Sequence, residues 1–289
     1  MIIYKKPSMK DWTSFKIGGP ADILVEPKDI KELVELIKFL RKERIIFYIL
    51  GNGTNILVSD KGIRGCVVHI GKNLKKITIK NGNKLEVEAG ATLAEIAQFA
   101  LNNSLKGFEE LSGIPGTIGG AVTMNAGAYD REIKDVFSSA NAINEAGRVV
   151  KLSKEAMNFS YRKSAVLDGN FIITQVTINL QEGNKKDIQE KMDKVRELRI
   201  NRQPLDLPSA GSVFKRPENG FASKLIEDSY LKGESIGGAE VSQKHAGFIV
   251  NKGNAKASDV YKLMEKIKDD IIIYHNVKLE PEIKLWGKF

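Results

Sequence analysis

Apolar residues recur at Ile30, Leu33, Val34, Ile37 and Leu40 through the otherwise charged stretch from Asp29 to Glu43, the spacing of one buried face on a 3.6-residue helix. Asp29 stands where an N-cap belongs, with Glu32 three residues later. The pattern then changes to strands: "IIFYIL" reads as a buried strand running into the turn Gly51-Asn52-Gly53 and a further apolar segment. "GCVVHI", "LKKITIK" and "KLEVEAGA" continue as short strands, so a βαβ start leads into a β-rich region. Thr92 and Glu95 form a capping-box pair ahead of Leu93, Ile96, Ala97, Ala100 and Leu101, which predicts a helix from about Leu93 to Asn103. A hairpin follows in "SSANAINEAGRVVKL", turning at Glu145 to Gly147, and then a long strand in "NFIITQVTINLQ". Ile188, Met192, Val195 and Leu198 mark one face of a helix from Asp187 to Arg199. Directly after it, "QPLDLPSAG" holds two prolines and a glycine, the composition of a boundary between lobes. Beyond the boundary, "GFASKLIEDSYLKG" and "KASDVYKLMEKIKDDI" read as helices, "GAEVS" and "AGFIVN" as strands, and "VKLEPEIKLWG" as a final strand. No internal repeat or low-complexity tract interrupts this order.

Composition narrows the class. A chain of 289 residues suits two or three compact units, each with its own core. Although 42% of residues are apolar, no run approaches the roughly 20 needed to span a bilayer. The opening "MIIYKKPSMKDW" has no apolar core ahead of a small-residue cleavage site, so no secretory signal is expected. Cys66 is the single cysteine and lies in a predicted buried strand, which fits a reducing cytoplasm. His69, His245 and His275 show no metal-ligand spacing, and no metal site is expected. The net charge of +9 raises nucleic-acid binding, but the lysines are interleaved with glutamates on helix faces, as in "KDIKELVELIKFLRKE". No recognition motif or aromatic-basic stripe accompanies them, so neither nucleic acid nor membrane is expected as a partner. A modest positive excess also suits small anions such as pyrophosphates.

Several short motifs carry possible chemistry. In "LGNGTN", Gly51 and Gly53 permit positive φ and close backbone approach, and the consecutive amides of Asn52 to Asn55 are placed to converge on a phosphate. An ordinary tight turn fits the same residues. The stretch lacks the third glycine of a dinucleotide fingerprint, and the chain holds no P-loop. From Ser112 to Tyr129, "SGIPGTIGGAVTMNAGAY" has five glycines and no charge. Its backbone suits either an extended cofactor or a tightly packed turn between subdomains. Arg162 in "NFSYRKSAV" has the chemistry to orient a carboxylate with its planar fork, or simply to stand in solvent. Ser212 in "SAGSVFKRP" is no hydrolase nucleophile, having no G-x-S-x-G elbow, but it qualifies as a proton donor. Glu280 and Glu282 lie two apart and share one face of an extended strand, entering a site or standing in water.

Taken in order, "TSFKIGGPAD", "LGNGTNILVSD", "AGATLAEIA", "SGIPGTIGGAVTMNAGAY", "SYRKS", "SAGSVFKRP", "IGGAEVSQKHAGFIVN" and "LEPEIKLWG" resemble the UDP-N-acetylenolpyruvoylglucosamine reductase (MurB) family from Trp12 to Gly287. The resemblance implies an α+β chain: a two-subdomain FAD-binding fold of the PCMH or vanillyl-alcohol-oxidase type, followed by a C-terminal α/β substrate-binding domain. The divisions expected are 1–72, 73–202 and 203–289, with the last strand returning to the active site. It also implies FAD as cofactor, NADPH as reductant, and a UDP-sugar enolpyruvyl ether as substrate in cytoplasmic peptidoglycan synthesis, with no obligatory protein partner. Cofactor contacts are then expected from Gly51, Asn52, Gly53, Thr54 and Asn55, and from Ser112, Gly113, Pro115, Gly116, Thr117, Gly119, Gly120, Ala121, Asn125, Gly127 and Ala128. By the same resemblance Arg162 binds the enolpyruvyl carboxylate, Glu282 stands beside it, and Ser212 donates the proton. Tyr161, Lys215, Arg216 and His245 are expected substrate contacts. The short link before Ser212 resembles a subgroup without an extra tyrosine loop. Another FAD-dependent oxidoreductase on the same scaffold is the alternative, because fold and cofactor do not fix the substrate.

Overall fold

The computed structural model describes residues 1–167, 171–218 and 220–289. The chain forms two compact units, one of Met1–Tyr4, Leu24–Asn52 and Gly65–Leu198, the other of Lys5–Ile23, Gly53–Arg64 and Arg199–Phe289.

In the first unit, Ile30–Lys42 is the helix expected from its apolar period, and Leu33, Leu36, Ile37 and Leu40 are its buried face. Asp29 caps it by accepting a hydrogen bond from Glu32 N at 2.8 Å. Residues 2–4, 24–26, 65–69 and 47–50 lie side by side in one sheet. Phe47–Leu50 runs parallel to the partner strand, with Phe47 opposite Cys66 and Leu50 opposite His69. Burial pushes the Cys66 thiol up to about 11, so it is an inert core residue. A second, antiparallel sheet has the order Val149–Ser153, Phe137–Ile143, Ile172–Asn179, Lys84–Glu88, Ile77–Lys80. The expected hairpin is its first pair, closed by Gly147 N donating to Asn144 O with Gly147 at φ +72°. Asn170, at the start of the expected long strand, lies outside the described residues. Thr92 and Glu95 make both halves of the capping box of Leu93–Asn102. One core, including Leu85, Val87, Ile96, Ile118, Val122 and Val176, unites these elements.

The second unit builds a sheet in the order Ser209–Ser212, Phe248–Asn251, Ala239–Val241, Ser235–Ile236. The helix Ala257–His275 packs on this sheet through Val260, Leu263, Met264, Ile267 and Ile271. Its N-terminal amides at Ala257 and Ser258 donate to the Asp60 carboxylate at 2.7 and 2.9 Å. Two expected elements are shorter than the pattern suggests. The helix from "GFASKLIEDSYLKG" covers only Ala222–Asp228, because Tyr230 turns into left-handed backbone at φ +58°. The final strand is Lys284–Trp286, pairing in parallel with Ile56–Val58. Pro281, which has no amide hydrogen, precedes it. Among the described residues no helix is long and apolar enough to cross a membrane.

Candidate active site

In the first unit the two glycine motifs meet. Asn52 Nδ2 donates to Pro115 O at 3.1 Å, joining the end of Phe47–Leu50 to the glycine-rich segment. Gly51 lies so close to Thr117 that a Cβ would sit 2.5 Å from its hydroxyl oxygen. Gly51 is therefore required by this close approach rather than by the positive φ expected for it, which the structure assigns to Gly53, at +63°. The glycine-rich segment is also less extended than its composition suggests. Ile118–Thr123 is a short helix, capped by Thr117 and packed on the strands Lys84–Glu88 and Ile172–Asn179. Ile118 N and Gly119 N donate to Ala91 O and Ala89 O at 2.8 and 2.9 Å, fixing its start. Ser112 folds back on Glu109 O at 2.6 Å. Much of the segment's neutrality thus serves packing, with Ile118, Ala121 and Val122 in the core.

The segment's other end holds the loop that carries Arg162. Asn125 is fully buried and at φ +41°. Its Nδ2 donates to Ser160 O at 3.0 Å and to Glu132 Oε2 at 3.2 Å, while its Oδ1 accepts from Lys134 N at 3.0 Å. Ser164 Oγ donates to Thr123 O at 2.8 Å, and Arg162 Nη2 to Gly127 O at 3.1 Å. Ser160 and Lys163 exchange both backbone hydrogen bonds, so the loop is a tight turn with Arg162 at φ +54°. A bulky residue in left-handed backbone costs about 1 kcal/mol, which the two Ser160–Lys163 hydrogen bonds and the Asn125 contact to Ser160 O help to offset. The guanidinium also lies 4.9 Å from the ring centre of Tyr161. Gly127–Ala128 pairs with Arg131–Glu132 just beyond.

In the second unit, the segment after Ser212 pairs with the segment that carries Glu282. Lys215 N donates to Glu280 O at 2.9 Å, Glu282 N to Val213 O at 2.7 Å, and Phe214 bridges to Pro281. This antiparallel clasp sets the segment after Ser212 against Glu280–Glu282. Asn55 joins it from the other side: its Nδ2 donates to Glu282 O at 3.3 Å, and its own carbonyl accepts from Lys284 N at 2.9 Å. Ser212 is exposed at the end of a strand whose register shifts between Ser209 and Ser212, where Gly211 takes φ +77°. Val213 N donates to Gly247 O, so the turn bearing His245 lies beside the same strand. Gly247 N donates to His245 Nδ1 at 3.1 Å, which leaves Nε2 to carry the proton of the neutral ring. Burial lowers the His245 pKa and keeps that ring neutral. Lys215 pairs with Glu280 at 2.9 Å, and Arg216 is exposed with its guanidinium 4.3 Å from the centre of the Phe221 ring.

Gly51, Asn52, Ser112–Ala128, Tyr161 and Arg162 thus belong to the first unit, and Gly53–Asn55, Ser212, Lys215, Arg216, His245 and Glu282 to the second. Residues 21–153 match the FAD binding domain family and residues 203–286 the family "UDP-N-acetylenolpyruvoylglucosamine reductase, C-terminal domain". The chain is 50% identical over 286 residues to UDP-N-acetylenolpyruvoylglucosamine reductase of Caldanaerobacter subterraneus, covering 99% of this chain and 94% of that one. It belongs to the UDP-N-acetylenolpyruvoylglucosamine reductase family. The reductase of Clostridium kluyveri is similar at 48% identity over 280 residues, 97% of this chain and 91% of the relative. Among solved structures, the MurB reductase of Thermus caldophilus superposes with TM-score 0.86 at 32% identity, over 99% of this chain and 100% of that one. A cholesterol oxidase from B. sterolicum matches 63% of this chain and 37% of its own at TM-score 0.50 and 15% identity, a likeness of fold alone. The fold class is α+β, an FAD-binding domain of the PCMH or vanillyl-alcohol-oxidase type with a MurB C-terminal domain.

Sequence reasoning missed two members of these sites. Ser14 anchors the glycine turn of the second unit, its Oγ donating to Ser209 O at 2.6 Å and its amide to Gly53 O at 3.1 Å. The amide of Lys284 is the other contact missed, donating to Asn55 O at 2.9 Å at the start of the last strand.

Proposed function

We propose that this family member reduces the enolpyruvyl group of UDP-N-acetylglucosamine enolpyruvate to a lactyl ether, as a cytoplasmic flavoenzyme using NADPH in peptidoglycan synthesis. The observation that carries the reading is the clasp that sets Ser212 and Glu282 on neighbouring paired segments, in a chain of a family named for this reduction. The chemistry of the first unit suits a dinucleotide: backbone amides and hydroxyls from Gly51, Asn52, Ser112, Gly113, Pro115, Gly116, Thr117, Gly119, Gly120, Ala121, Asn125, Gly127 and Ala128, with no charged side chain among them. Gly53, Thr54 and Asn55 are proposed as further cofactor contacts. Bound FAD, reduced by NADPH, supplies the hydride that adds to the enolpyruvyl double bond.

The chain's own residues then handle charge and the proton. Negative charge develops on the substrate carboxylate and the carbon beside it. Arg162, turned by its left-handed backbone, binds that carboxylate; a fixed donor of this kind commonly contributes roughly 3 to 4 kcal/mol. Glu282 hydrogen-bonds beside it. Ser212 Oγ delivers its proton to the carbon. Tyr161, Lys215, Arg216 and His245 are proposed to hold the nucleotide-sugar, His245 through the Nε2 proton that its Gly247 hydrogen bond fixes. The expected division at 72 and 202 stays a proposal about folding units, testable by expressing 203–289 alone. Steady-state NADPH oxidation that rises on adding the UDP-sugar enol ether supports the function; oxidation unchanged by it favours another flavin oxidoreductase on this scaffold.

A further inference from the structure

We propose that the ring of Phe221 is a stacking platform for the base of a nucleoside diphosphate, with Arg216 beside it for the diphosphate; this rests on the reductase reading above. Contacts within the second unit place the ring. Arg216 follows directly on Lys215, whose amide is fixed to Glu280 O. Its guanidinium carbon lies 4.3 Å from the centre of the Phe221 ring. Two residues beyond Phe221, Ser223 packs against the His245 turn, where a Cβ on Gly247 would sit 3.2 Å from the Ser223 Cβ. Gly247 O in turn accepts from Val213 N, next to Ser212. The chain thus leaves the Ser212 strand at Arg216 and comes back beside it at Ser223, carrying Phe221 between the two.

Folding alone does not ask for phenylalanine here. Phe221 is the N-cap of Ala222–Asp228, with extended backbone at φ −128° and ψ 130° and no side-chain capping bond. Serine, threonine, aspartate or asparagine would accept from the first helical amides at that position, and phenylalanine cannot. Core packing does not ask for it either: Phe221 is 54% exposed, and Ala222 and Ile226 supply the buried side of the helix. Gly220 before it takes φ +95° with open space where a Cβ would lie, so backbone conformation alone selects that glycine. A residue that breaks a local rule without a packing return marks a site kept for function. The ring offers a π-face on which any base stacks, and the guanidinium offers charge-assisted hydrogen bonds to phosphate oxygens. A nucleoside diphosphate presents the complement, a flat base joined through ribose to two anionic phosphates. The UDP-sugar and NADPH both contain that chemistry.

The test uses the full-length, FAD-loaded enzyme and its Phe221→Ser and Phe221→Tyr variants. Serine supplies the missing helix cap while removing the ring, so the urea midpoint and flavin content should stay at or above those of the parent. Calorimetry with UDP and with the enolpyruvyl ether gives Kd, and flavin reduction at varied NADPH gives the affinity for the reductant. Phe221→Ser should weaken nucleotide binding roughly five- to hundredfold, the range for one lost base stack on an aromatic ring, with the change in KM exceeding that in kcat. Phe221→Tyr, which keeps the π-face, should bind within about threefold of the parent. Weakening of UDP and the enol ether with NADPH unchanged assigns the platform to the sugar nucleotide. Weakening of NADPH alone assigns it to the reductant, and weakening of both means that they take turns on it. Affinities for all these ligands within about twofold of the parent in Phe221→Ser would overturn the proposal. So would a loss that comes with a lower urea midpoint, or one that tyrosine fails to rescue, the marks of a structural ring. A parent enzyme whose NADPH oxidation ignores the enol ether would instead sink the reductase reading, while the UDP titration still decides the platform.

Discussion

Asn125 fastens the Arg162 loop to the glycine-rich segment, and replacing it by alanine is the sharpest test of that arrangement. The substitution removes three hydrogen bonds, to Ser160 O, Glu132 Oε2 and Lys134 N, from a side chain with no exposure. At about 1 kcal/mol net for each, the loss is about 3 kcal/mol. Alanine must also hold φ +41°, a left-handed backbone that asparagine tolerates and that costs alanine about 1 kcal/mol. The expected destabilisation is therefore about 4 kcal/mol for Asn125→Ala and about 3 kcal/mol for Asn125→Gly, which escapes the backbone term. Urea unfolding followed by circular dichroism, with m-values compared between variants, measures both. Turnover should fall further than flavin content, because the loosened loop carries Arg162. A loss below about 1 kcal/mol in Asn125→Ala, or a glycine variant no better than the alanine one, would refute the assignment of Asn125 as the fastening residue.

Asp60→Asn should cost about 1 kcal/mol at neutral pH, the usual worth of a helix-cap acceptor, since the exposed carboxylate is well screened. Burial raises the Asp60 pKa, but the backbone and hydroxyl hydrogen bonds of Ser258, the Ala257 amide and the charge of Lys256 outweigh it and lower the value below the usual 3.8. Its stabilisation is thus present above that ordinary value and lost as pH falls through the lower folded one, so the urea midpoints of parent and variant should converge as the pH is taken below that range. Gly51→Ala should destabilise by forcing a methyl against the Thr117 hydroxyl, while Gly51→Ala/Thr117→Ala should be no worse than Thr117→Ala alone, because the remaining Thr117 Cβ lies 3.5 Å away. Ser212→Ala should leave NADPH reduction of the flavin intact and collapse turnover of the enol ether; a parallel fall in both half-reactions would contradict its role. Arg162→Lys should lower kcat by 100-fold or more, roughly, since an ammonium cannot reproduce the planar fork, and full activity would remove Arg162 from the carboxylate.

What the sequence made legible follows from which interactions are local. The helix Ile30–Lys42 and the capping box at Thr92 and Glu95 were readable because their determinants lie within a few residues of one another. The helix inside the glycine-rich segment was not, since glycines weaken any helical signal and Ile118–Thr123 is held by long-range bonds to Ala89 and Ala91. The alternation through "LEPEI" extends the expected last strand beyond Lys284–Trp286, because residues 280–282 pair with a different segment, 213–215, before the chain moves on to Ile56–Val58. Ser212 and Glu282 were singled out by residue type and by resemblance, but their adjacency depends on a clasp across almost seventy residues that no local pattern encodes.

The central claim is that this chain passes reducing equivalents from NADPH to an enolpyruvyl ether through its flavin. The purified, FAD-loaded protein can be reduced anaerobically with one equivalent of NADPH and mixed in a stopped-flow cell with UDP-N-acetylglucosamine enolpyruvate. The account predicts that flavin absorbance returns in a single turnover while the sugar nucleotide gains two hydrogens by mass spectrometry. A flavin that stays reduced, with the enol ether recovered unchanged, would contradict it.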